Sequence, residues 1–222
     1  MNQAAARVLV FCDVDETLIA GKSMFDFLEY YLSGKYGDAG ARRAERTRRE
    51  SAAMAEAGVP RERGNREYYR VWQGERAAAV AREAANWWAA RSARPDFRIG
   101  ATWAELKRHR AAGALIVLVS GSFPAVLEPI AAAVGAARVL CTRPEIGEGQ
   151  YTGAIVGDPM IGEAKGKAVR AVLSEYPSAD PADCLAYGDH ASDLPMLAEV
   201  GHPVVVGADA GLLRALPHAR AL

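Results

Sequence analysis

Short apolar runs that alternate with helical stretches are the feature that most constrains how this chain can fold. The runs are rich in β-branched residues and end at polar ones, a pattern typical of strands buried on both faces of a parallel sheet. Pro124 and Gly135 mark the start and the end of a helix between two of them. The alternation predicts βαβ units and hence an α/β fold with a layered parallel sheet. The predicted strands cover residues 8–11, 115–119, 184–187 and 203–206, with a shorter fifth at 138–141.

The stretch from residue 23 to residue 93 breaks this rhythm and predicts helices only. It is rich in Ala, Arg and Glu, and glycines together with Pro60 divide it into three helices, at residues 24–32, 41–57 and 65–91. A helical block inserted after the first strand lies over the strand ends, where substrate selectivity can be built. We therefore expect an α/β core domain of residues 1–20 and 97–222 and an all-helical cap domain of residues 21–96.

The composition argues against several classes of partner. The chain has 27 Lys and Arg against 27 Asp and Glu, so a net charge of zero gives no reason to expect binding to nucleic acid or to an acidic membrane surface. Charged residues break its apolar stretches well before the roughly 20 residues that a membrane-spanning helix needs. Three cysteines without a CxxC pair indicate a reducing compartment. We expect a cytoplasmic protein, monomeric or homodimeric, with no nucleic-acid partner and no membrane segment.

Two carboxylates, Asp13 and Asp15, stand where the first predicted strand ends. Buried carboxylates at such a place are costly unless a cation or a reaction uses them. Strand alternation projects both side chains in the same direction, so both can converge on one bound group above the sheet. This pair is therefore the first candidate for catalysis.

A second acidic pair, Asp189 and Asp193, follows the predicted strand at residues 184–187. If that strand lies near the first one, Asp13, Asp189 and Asp193 gather hard oxygens at one point. Such a donor set suits Mg²⁺ with its octahedral, partly hydrated shell. Magnesium in turn implies a phosphate substrate.

Phosphoryl oxygens would find partners between these acidic elements. Ser120 and Gly121 follow the predicted strand at residues 115–119, and Lys165 lies in a Gly-Glu-Ala-Lys segment. A hydroxyl, exposed backbone amides and a lysine at strand ends are what the oxygens of a transferring phosphoryl group require.

The order of these motifs resembles that of the haloacid dehalogenase superfamily of aspartate-nucleophile phosphohydrolases. A DxDxT motif runs from Asp13 to Thr17, a serine follows a hydrophobic strand, and GxxK and GDxxxD motifs end at Lys165 and Asp193. Helices inserted between the first two motifs make the chain most similar to the phosphoserine-phosphatase-like subfamily. The resemblance implies a Rossmann-like parallel sheet flanked by helices, with an all-helical cap inserted after the first strand.

The resemblance also implies a role for each residue that matches a motif. Asp13 is the nucleophile that forms an aspartyl-phosphate, and Asp15 acts first as general acid and then as general base. Lys165 neutralises the charge on Asp13 and on the phosphate. Thr17 orients Asp15 or helps to hold the loop.

The same resemblance implies two sets of ligands. The hydroxyl of Ser120 and the amide of Gly121 bind phosphoryl oxygens, and we count Thr17 with them as a candidate for substrate binding. A Mg²⁺ ion is held by acidic residues, namely Asp13, Asp189, the main-chain carbonyl of Asp15, and Asp193 as a nearby or orienting group.

Residue 22 bears on which substrate is taken. Where phosphoserine phosphatases carry a glutamate that accepts the substrate ammonium, this chain has Lys22, with Glu29 as another candidate for that role. A cation repels an ammonium and favours a carboxylate or a second phosphate, so Lys22 is also a candidate for substrate binding. Sugar phosphates, amino-alcohol phosphates and phosphorylated biosynthetic intermediates remain open.

We therefore expect a Mg²⁺-dependent phosphatase that hydrolyses a small phosphomonoester metabolite. A phosphotransferase or phosphomutase would use the same aspartyl-phosphate, and capture of the phosphoryl group by an added alcohol or sugar distinguishes it. A binding protein with a retired active site is the third alternative, and the intact motifs disfavour it.

Overall fold

A computed structural model of the chain describes residues 7–207 and 209–222 and contains a six-stranded parallel sheet with helices on both faces. Residues 1–6 of the predicted core segment lie outside the described residues. The strands of this sheet are β1 (Leu9–Cys12), β2 (Leu115–Ser120), β3 (Arg138–Cys141), β6 (Leu185–Gly188), β7 (His202–Val205) and β8 (Arg220–Ala221). Neighbouring strands are parallel throughout, in the spatial order β3-β2-β1-β6-β7-β8.

In the described part of the chain, eight α-helices connect or cover these strands. Their bounds are α1 (Ser23–Glu56), α2 (Arg61–Tyr68), α3 (Ala77–Ser92), α4 (Gly100–Ala111), α5 (Pro124–Val134), α6 (Glu163–Glu175), α7 (Leu194–Leu197) and α8 (Ala210–Ala215). Pro124 starts α5, and Gly135 ends it in the left-handed conformation, as predicted. Within the described ranges, no helix combines the length and the apolar character needed to cross a bilayer.

Strand β1 shows why the sheet must be covered on both sides. Leu9 and Phe11 pack in one apolar cluster with residues of α6, α7 and α8, whereas Val10 and Cys12 pack in a second cluster on the opposite face. All four residues of the strand are fully buried. The five apolar runs predicted as strands of this sheet are confirmed, with one or both bounds displaced by one residue in four of them.

The helices α1, α2 and α3 lie between β1 and β2 in the chain and form the expected helical cap. Helix α1 is interrupted at Gly37, whose positive φ of 57° breaks the helical path between the two helices predicted there. The second apolar cluster runs from the sheet into the cap without a break and includes Phe27, Trp72 and Trp87. The rings of Phe27 and Trp72 are stacked with their centroids 5.5 Å apart. The cap therefore shares one core with this face of the sheet.

The prediction of a single helix over residues 65–91 is wrong. Helix α2 ends at Tyr68, a 3₁₀ turn covers Tyr69–Trp72, and α3 begins only at Ala77. Between them, the amide of Gly74 donates to the carbonyl of Tyr151 at 2.9 Å, and the amide of Tyr151 donates to the carbonyl of Glu75 at 2.9 Å. These backbone bonds to a distant segment outweigh the local helical preference.

The distant segment is an antiparallel hairpin of β4 (Arg143–Gly147) and β5 (Gln150–Val156). Its two strands are joined by a turn at Glu148 and Gly149, both of which have a positive φ. The amide of Ala77 donates to the carbonyl of Gly149 at 3.0 Å, so the hairpin holds the cap at three backbone positions in all.

Glu75 is a buried carboxylate inside the cap, with an exposed fraction of 2%. Its Oε2 accepts hydrogen bonds from the hydroxyl of Tyr31 at 2.6 Å and from Nζ of Lys35 at 2.5 Å, and its Oε1 accepts one from the hydroxyl of Tyr36 at 2.8 Å. Burial alone would raise the pKa of Glu75, but these donors outweigh it and hold the pKa below its ordinary value. The network ties α1 to the segment before α3.

We expect Glu75→Gln to lower the free energy of unfolding at neutral pH by about 2 kcal/mol, because a charged acceptor of three hydrogen bonds is lost. A carboxylate with a lowered pKa stabilises the fold above its ordinary pKa and loses that effect as the pH falls through the folded value. The difference from wild type should therefore shrink between about pH 7 and pH 3. Urea unfolding across this range, with the exposed Glu50→Gln as control, measures it. A difference that does not change with pH would contradict this account.

Candidate active site

The strand order brings together the ends of three strands that carry the predicted motifs. Strand β1 lies between β2 and β6, and the carboxyl ends of all three point to the same edge of the sheet. Asp13, Ser120 and Asp189 stand at or directly after these ends. The amide of Asp13 donates to the carbonyl of Tyr187 at 2.9 Å, which extends the pairing of β1 and β6 by one step. This edge is where open α/β sheets bind ligands.

Lys165 links two of the carboxylates at this edge. Its Nζ, carried on the first turn of α6, donates to Oδ1 of Asp13 at 2.5 Å and to Oδ1 of Asp193 at 2.6 Å. The exposed fractions of Lys165, Asp13 and Asp193 are 3%, 6% and 2%. Three charged side chains so deeply buried are tolerated only because they are paired with one another.

The protonation of this cluster reflects burial and an excess of negative charge. Burial raises the pKa of Asp13 above its ordinary value, since the attraction of Lys165 opposes the rise only in part and Asp193 adds to it. Burial also acts on Asp193, but the nearby Lys165 ammonium holds its pKa below the ordinary value. The pKa of Lys165 is raised because Asp13 and Asp193 outweigh its own burial. The single positive charge of Lys165 does not balance the carboxylates around it, so part of their negative charge still has to be neutralised.

Asp189 completes a group of three carboxylates. One oxygen each from Asp13, Asp189 and Asp193 lies within 4.8 Å of the others. The Thr17 hydroxyl donates to Oδ1 of Asp189 at 2.8 Å, and Oδ2 of Asp193 accepts the backbone amides of Asp189 and His190, each at 3.2 Å. Hard oxygens that are held in place, with more negative charge than Lys165 balances, fit a divalent cation such as Mg²⁺.

Asp15 lines the same cavity but lies outside this group of three. Its Oδ1 accepts the backbone amide of Ser23 at 3.0 Å. Burial raises the pKa of Asp15, and the bonds from Ser23 oppose the shift. A raised pKa favours the protonated form that a general acid needs. The expected metal contact through its main-chain carbonyl stays a prediction.

The loop after β2 is held by two residues of the cap that the motifs did not indicate, Asn65 and Tyr69. The carbonyl of Gly121 accepts Nδ2 of Asn65 at 2.9 Å and the hydroxyl of Tyr69 at 2.9 Å. On the other side of this peptide, the amide of Ser122 donates to Oγ of Ser120 at 3.1 Å. With one lone pair engaged, the Ser120 hydroxyl keeps its proton free for a ligand. The cap thus fixes the orientation of the predicted phosphate-binding loop.

A cavity of about 180 Å³ opens above these groups, between the sheet edge and the cap. Asp13, Asp15, Lys165, Ser120 and Gly121 line it together with Asp189 and Asp193, so with Lys22 the structure places eight of the nine predicted site residues around one space. Thr17 is fully buried and is not among the lining residues, so it does not face a substrate in this cavity. Its hydroxyl donates a hydrogen bond to Asp189, not to Asp15 as one predicted role required.

Lys22 also lines the cavity, but its charge is partly compensated. Its Nζ forms an ion pair with Oε2 of Glu16, a residue whose positive φ of 65° turns the loop back toward α1. Glu29, the other candidate for contact with the substrate, is not among the lining residues.

Arg61, at the start of α2, is a cap residue that no motif in the sequence indicated. Its Nη1 lies 2.5 Å from Nδ1 of His190 and 3.0 Å from Oγ of Ser192, on the loop that carries Asp189 and Asp193. Burial and the nearby Arg61 lower the pKa of His190, which favours the neutral ring as an acceptor from the guanidinium. The cap and the acidic loop therefore meet at the rim of the cavity.

Known structures share this arrangement of sheet and cap. A protein of unknown function from Bordetella pertussis Tohama I superposes with a TM-score of 0.83 at 24% identity, over 98% of both chains. A substrate-bound phosphoserine phosphatase superposes with a TM-score of 0.70 at 17% identity, over 96% of this chain and 92% of the other. At these identities the likeness shows the fold.

The sequence itself matches proteins of known families. A probable phosphatase of Mycobacterium tuberculosis is 41% identical over 106 residues, which are 47% of this chain and 36% of that protein. The match therefore covers less than half of that relative's length. Residues 10–198 match the family of haloacid dehalogenase-like hydrolases. The acidic cluster, the lysine and the serine loop lie within this matched range, at the ends of adjacent parallel strands. The chain therefore belongs to the haloacid dehalogenase-like hydrolase family.

Proposed function

We propose that this protein is a Mg²⁺-dependent phosphatase that hydrolyses a small phosphomonoester through an aspartyl-phosphate intermediate. The observation that carries the proposal is the contact of the buried Asp13 carboxylate with Lys165 at 2.5 Å, in a cavity that Asp15 and the carboxylates of Asp189 and Asp193 also line. Family membership and the match to a mycobacterial relative named a probable phosphatase support it.

In the first step, an oxygen of Asp13 attacks phosphorus and forms an acyl-phosphate bond. The ester bond between phosphorus and the alcohol oxygen breaks, and its electron pair leaves with that oxygen. Asp15 gives its proton to the leaving oxygen, so that a neutral alcohol departs. The raised pKa of Asp15 supports the role of proton donor.

In the second step, Asp15 is a carboxylate and accepts a proton from water. The water oxygen attacks phosphorus, the bond from Asp13 to phosphorus breaks, and inorganic phosphate leaves. Asp13 is regenerated with both oxygens free. One residue thus acts as acid and then as base at the same position.

The negative charge that builds up on phosphoryl oxygens is offset by fixed groups. Lys165 lies against Asp13, and the Ser120 hydroxyl with the Gly121 amide offers hydrogen bonds from the end of β2 and the loop after it. A Mg²⁺ ion held by Asp13, Asp189, Asp193 and the carbonyl of Asp15 would supply further neutralisation of charge on the phosphoryl oxygens. Thr17 positions Asp189.

The proposal also includes the domain bounds, the location, the substrate size and the oligomeric state of the protein. We assign residues 1–20 and 97–222 to the catalytic core and residues 21–96 to the cap. We also expect a cytoplasmic location, a small phosphorylated metabolite as substrate, and a monomer or homodimer.

We expect Asp13→Asn to lower the rate of phosphate release from p-nitrophenyl phosphate by at least about 10³-fold, because an amide is a poor nucleophile and forms no acyl-phosphate. The assay measures nitrophenol release at saturating Mg²⁺. Asp96→Asn is the matched control, since Asp96 is exposed and pairs with Arg94 away from the cavity. Equal activity of Asp13→Asn and wild type would rule out the proposed nucleophile.

Removal of divalent metal should abolish turnover, and added Mg²⁺ should restore it, because the carboxylate excess around Asp13 needs a cation. Phosphate release is measured after dialysis against a chelator and again after titration with Mg²⁺. Undiminished activity of the chelated protein would contradict the metal dependence. A parallel assay with added glycerol detects glycerol phosphate, whose accumulation at the expense of inorganic phosphate would favour the phosphotransferase alternative.

We assign Asn65 and Tyr69 as positioning residues that act through the loop at Gly121. Asn65→Leu removes one donor to the Gly121 carbonyl, and Tyr69→Phe removes the other. Each change should lower kcat by about tenfold, in line with the loss of one hydrogen bond that orients the transition state. KM should change by less than about twofold, as expected of a loss felt mainly in the transition state. Steady-state kinetics test this, and a rise in KM at unchanged kcat would contradict the assignment.

A further inference from the structure

The wall of the cavity opposite the catalytic groups is apolar. Helices α1 and α2, the segment between them and the loop before α6 supply it. Six residues make up most of this wall, namely Met24, Phe25, Met54, Val59, Tyr68 and Ile161. A group attached to a phosphate bound at Asp13 would lie against this wall, because the cavity extends from the sheet edge into the cap.

The cap contributes five polar side chains to the cavity, and four of them have partners within the protein; among the described residues, the hydroxyl of Ser51 on α1 is the exception. Lys22 is paired with Glu16, and Arg61 contacts the loop after β6. The amide of Asn65 is bonded to Gly121, and the hydroxyl of Tyr68 donates to the carbonyl of Met24 at 2.6 Å. The wall therefore consists mainly of apolar surface, with four engaged polar side chains and the small hydroxyl of Ser51.

Acidic side chains line the cavity only at the sheet edge, as far as the described residues extend. They are Asp13 and Asp15 after β1 and the aspartates of the loop after β6. An ammonium on the leaving group would meet no carboxylate on the cap wall and would lose its hydration there. A carboxylate would have to compete with Glu16 for Lys22, or with His190 for Arg61.

We propose that the substrate is the phosphate ester of a small, uncharged and mainly apolar alcohol, such as a short-chain alkyl or single-ring alcohol. This inference rests on the proposed function, whose site it extends to the leaving group. A volume of about 180 Å³ is below the range of about 300–1,000 Å³ that holds drug-sized ligands, so the alcohol is small. Each methylene that the wall covers increases affinity by about fourfold.

The test uses three phosphonates of similar size whose carbon–phosphorus bond resists hydrolysis. They are n-butylphosphonate, 3-aminopropylphosphonate and 3-phosphonopropionate, which end in a methyl group, an ammonium and a carboxylate. Isothermal titration calorimetry of the full chain with Mg²⁺ measures each Kd. We expect n-butylphosphonate to bind at least about tenfold more tightly than either charged probe. Equal or weaker binding of n-butylphosphonate, or no binding of any probe, would overturn the proposal.

A substitution on the wall tests where the preference arises. Met54→Glu places a carboxylate among the apolar side chains and should strengthen the binding of 3-aminopropylphosphonate relative to n-butylphosphonate by at least about tenfold. Met54→Gln is the matched neutral control and should leave the order of the two probes as in wild type. Met54 is half-buried on α1, and circular dichroism checks that both variants fold. A ratio of the two Kd values in Met54→Glu that is unchanged from wild type would overturn the assignment of this wall to the leaving group.

Hydrolysis of p-nitrophenyl phosphate by the same samples separates this inference from the proposed function. Turnover of p-nitrophenyl phosphate without a binding preference for n-butylphosphonate contradicts the proposed substrate class and leaves the proposed phosphatase activity supported. A preference for n-butylphosphonate without turnover of p-nitrophenyl phosphate supports the apolar binding site and contradicts the proposed phosphatase activity.

Discussion

The site depends on one buried ammonium group. Lys165 contacts Asp13 on one side and Asp193 on the other, and all three side chains are almost completely buried. Without this cation, two carboxylates would stand close together in a medium that solvates charge poorly, and their burial would be strongly unfavourable. The lysine also joins three elements that are far apart in the chain, because it attaches the first turn of α6 to the end of β1 and to the loop after β6. The catalytic geometry and the packing of the strand ends therefore rest on the same contact.

The sequence was sufficient to predict the sheet and the residues around the acidic edge. Asp13, Ser120 and Asp189 each follow an apolar strand, and parallel strands carry their carboxyl ends to one edge, so motif and fold point to the same place. Local patterns were enough here because each signal lies within a few residues of the strand that positions it.

The contacts of the cap were not predictable in the same way. Asn65 and Tyr69 bond to a carbonyl more than 50 residues away, and nothing in their own neighbourhood indicates that partner. The helix predicted over residues 65–91 failed for a related reason, since the chain turns at Gly74 to pair with the hairpin. Lys22 offers a third example: its charge suggests an anion as ligand, whereas the positive φ of Glu16 brings a carboxylate of the protein's own loop to it. In each case a tertiary contact changes what a residue can do.

The hairpin of β4 and β5 has a consequence for how the cavity can open. Three backbone hydrogen bonds join it to the cap at residues 74–77, whereas the rim at Arg61 is joined to the acidic loop by contacts of exposed side chains. Breaking several backbone bonds at once costs more than releasing a solvated guanidinium. The hairpin end is therefore the more firmly attached side of the cap, and the contact between Arg61 and His190 is the more easily broken one.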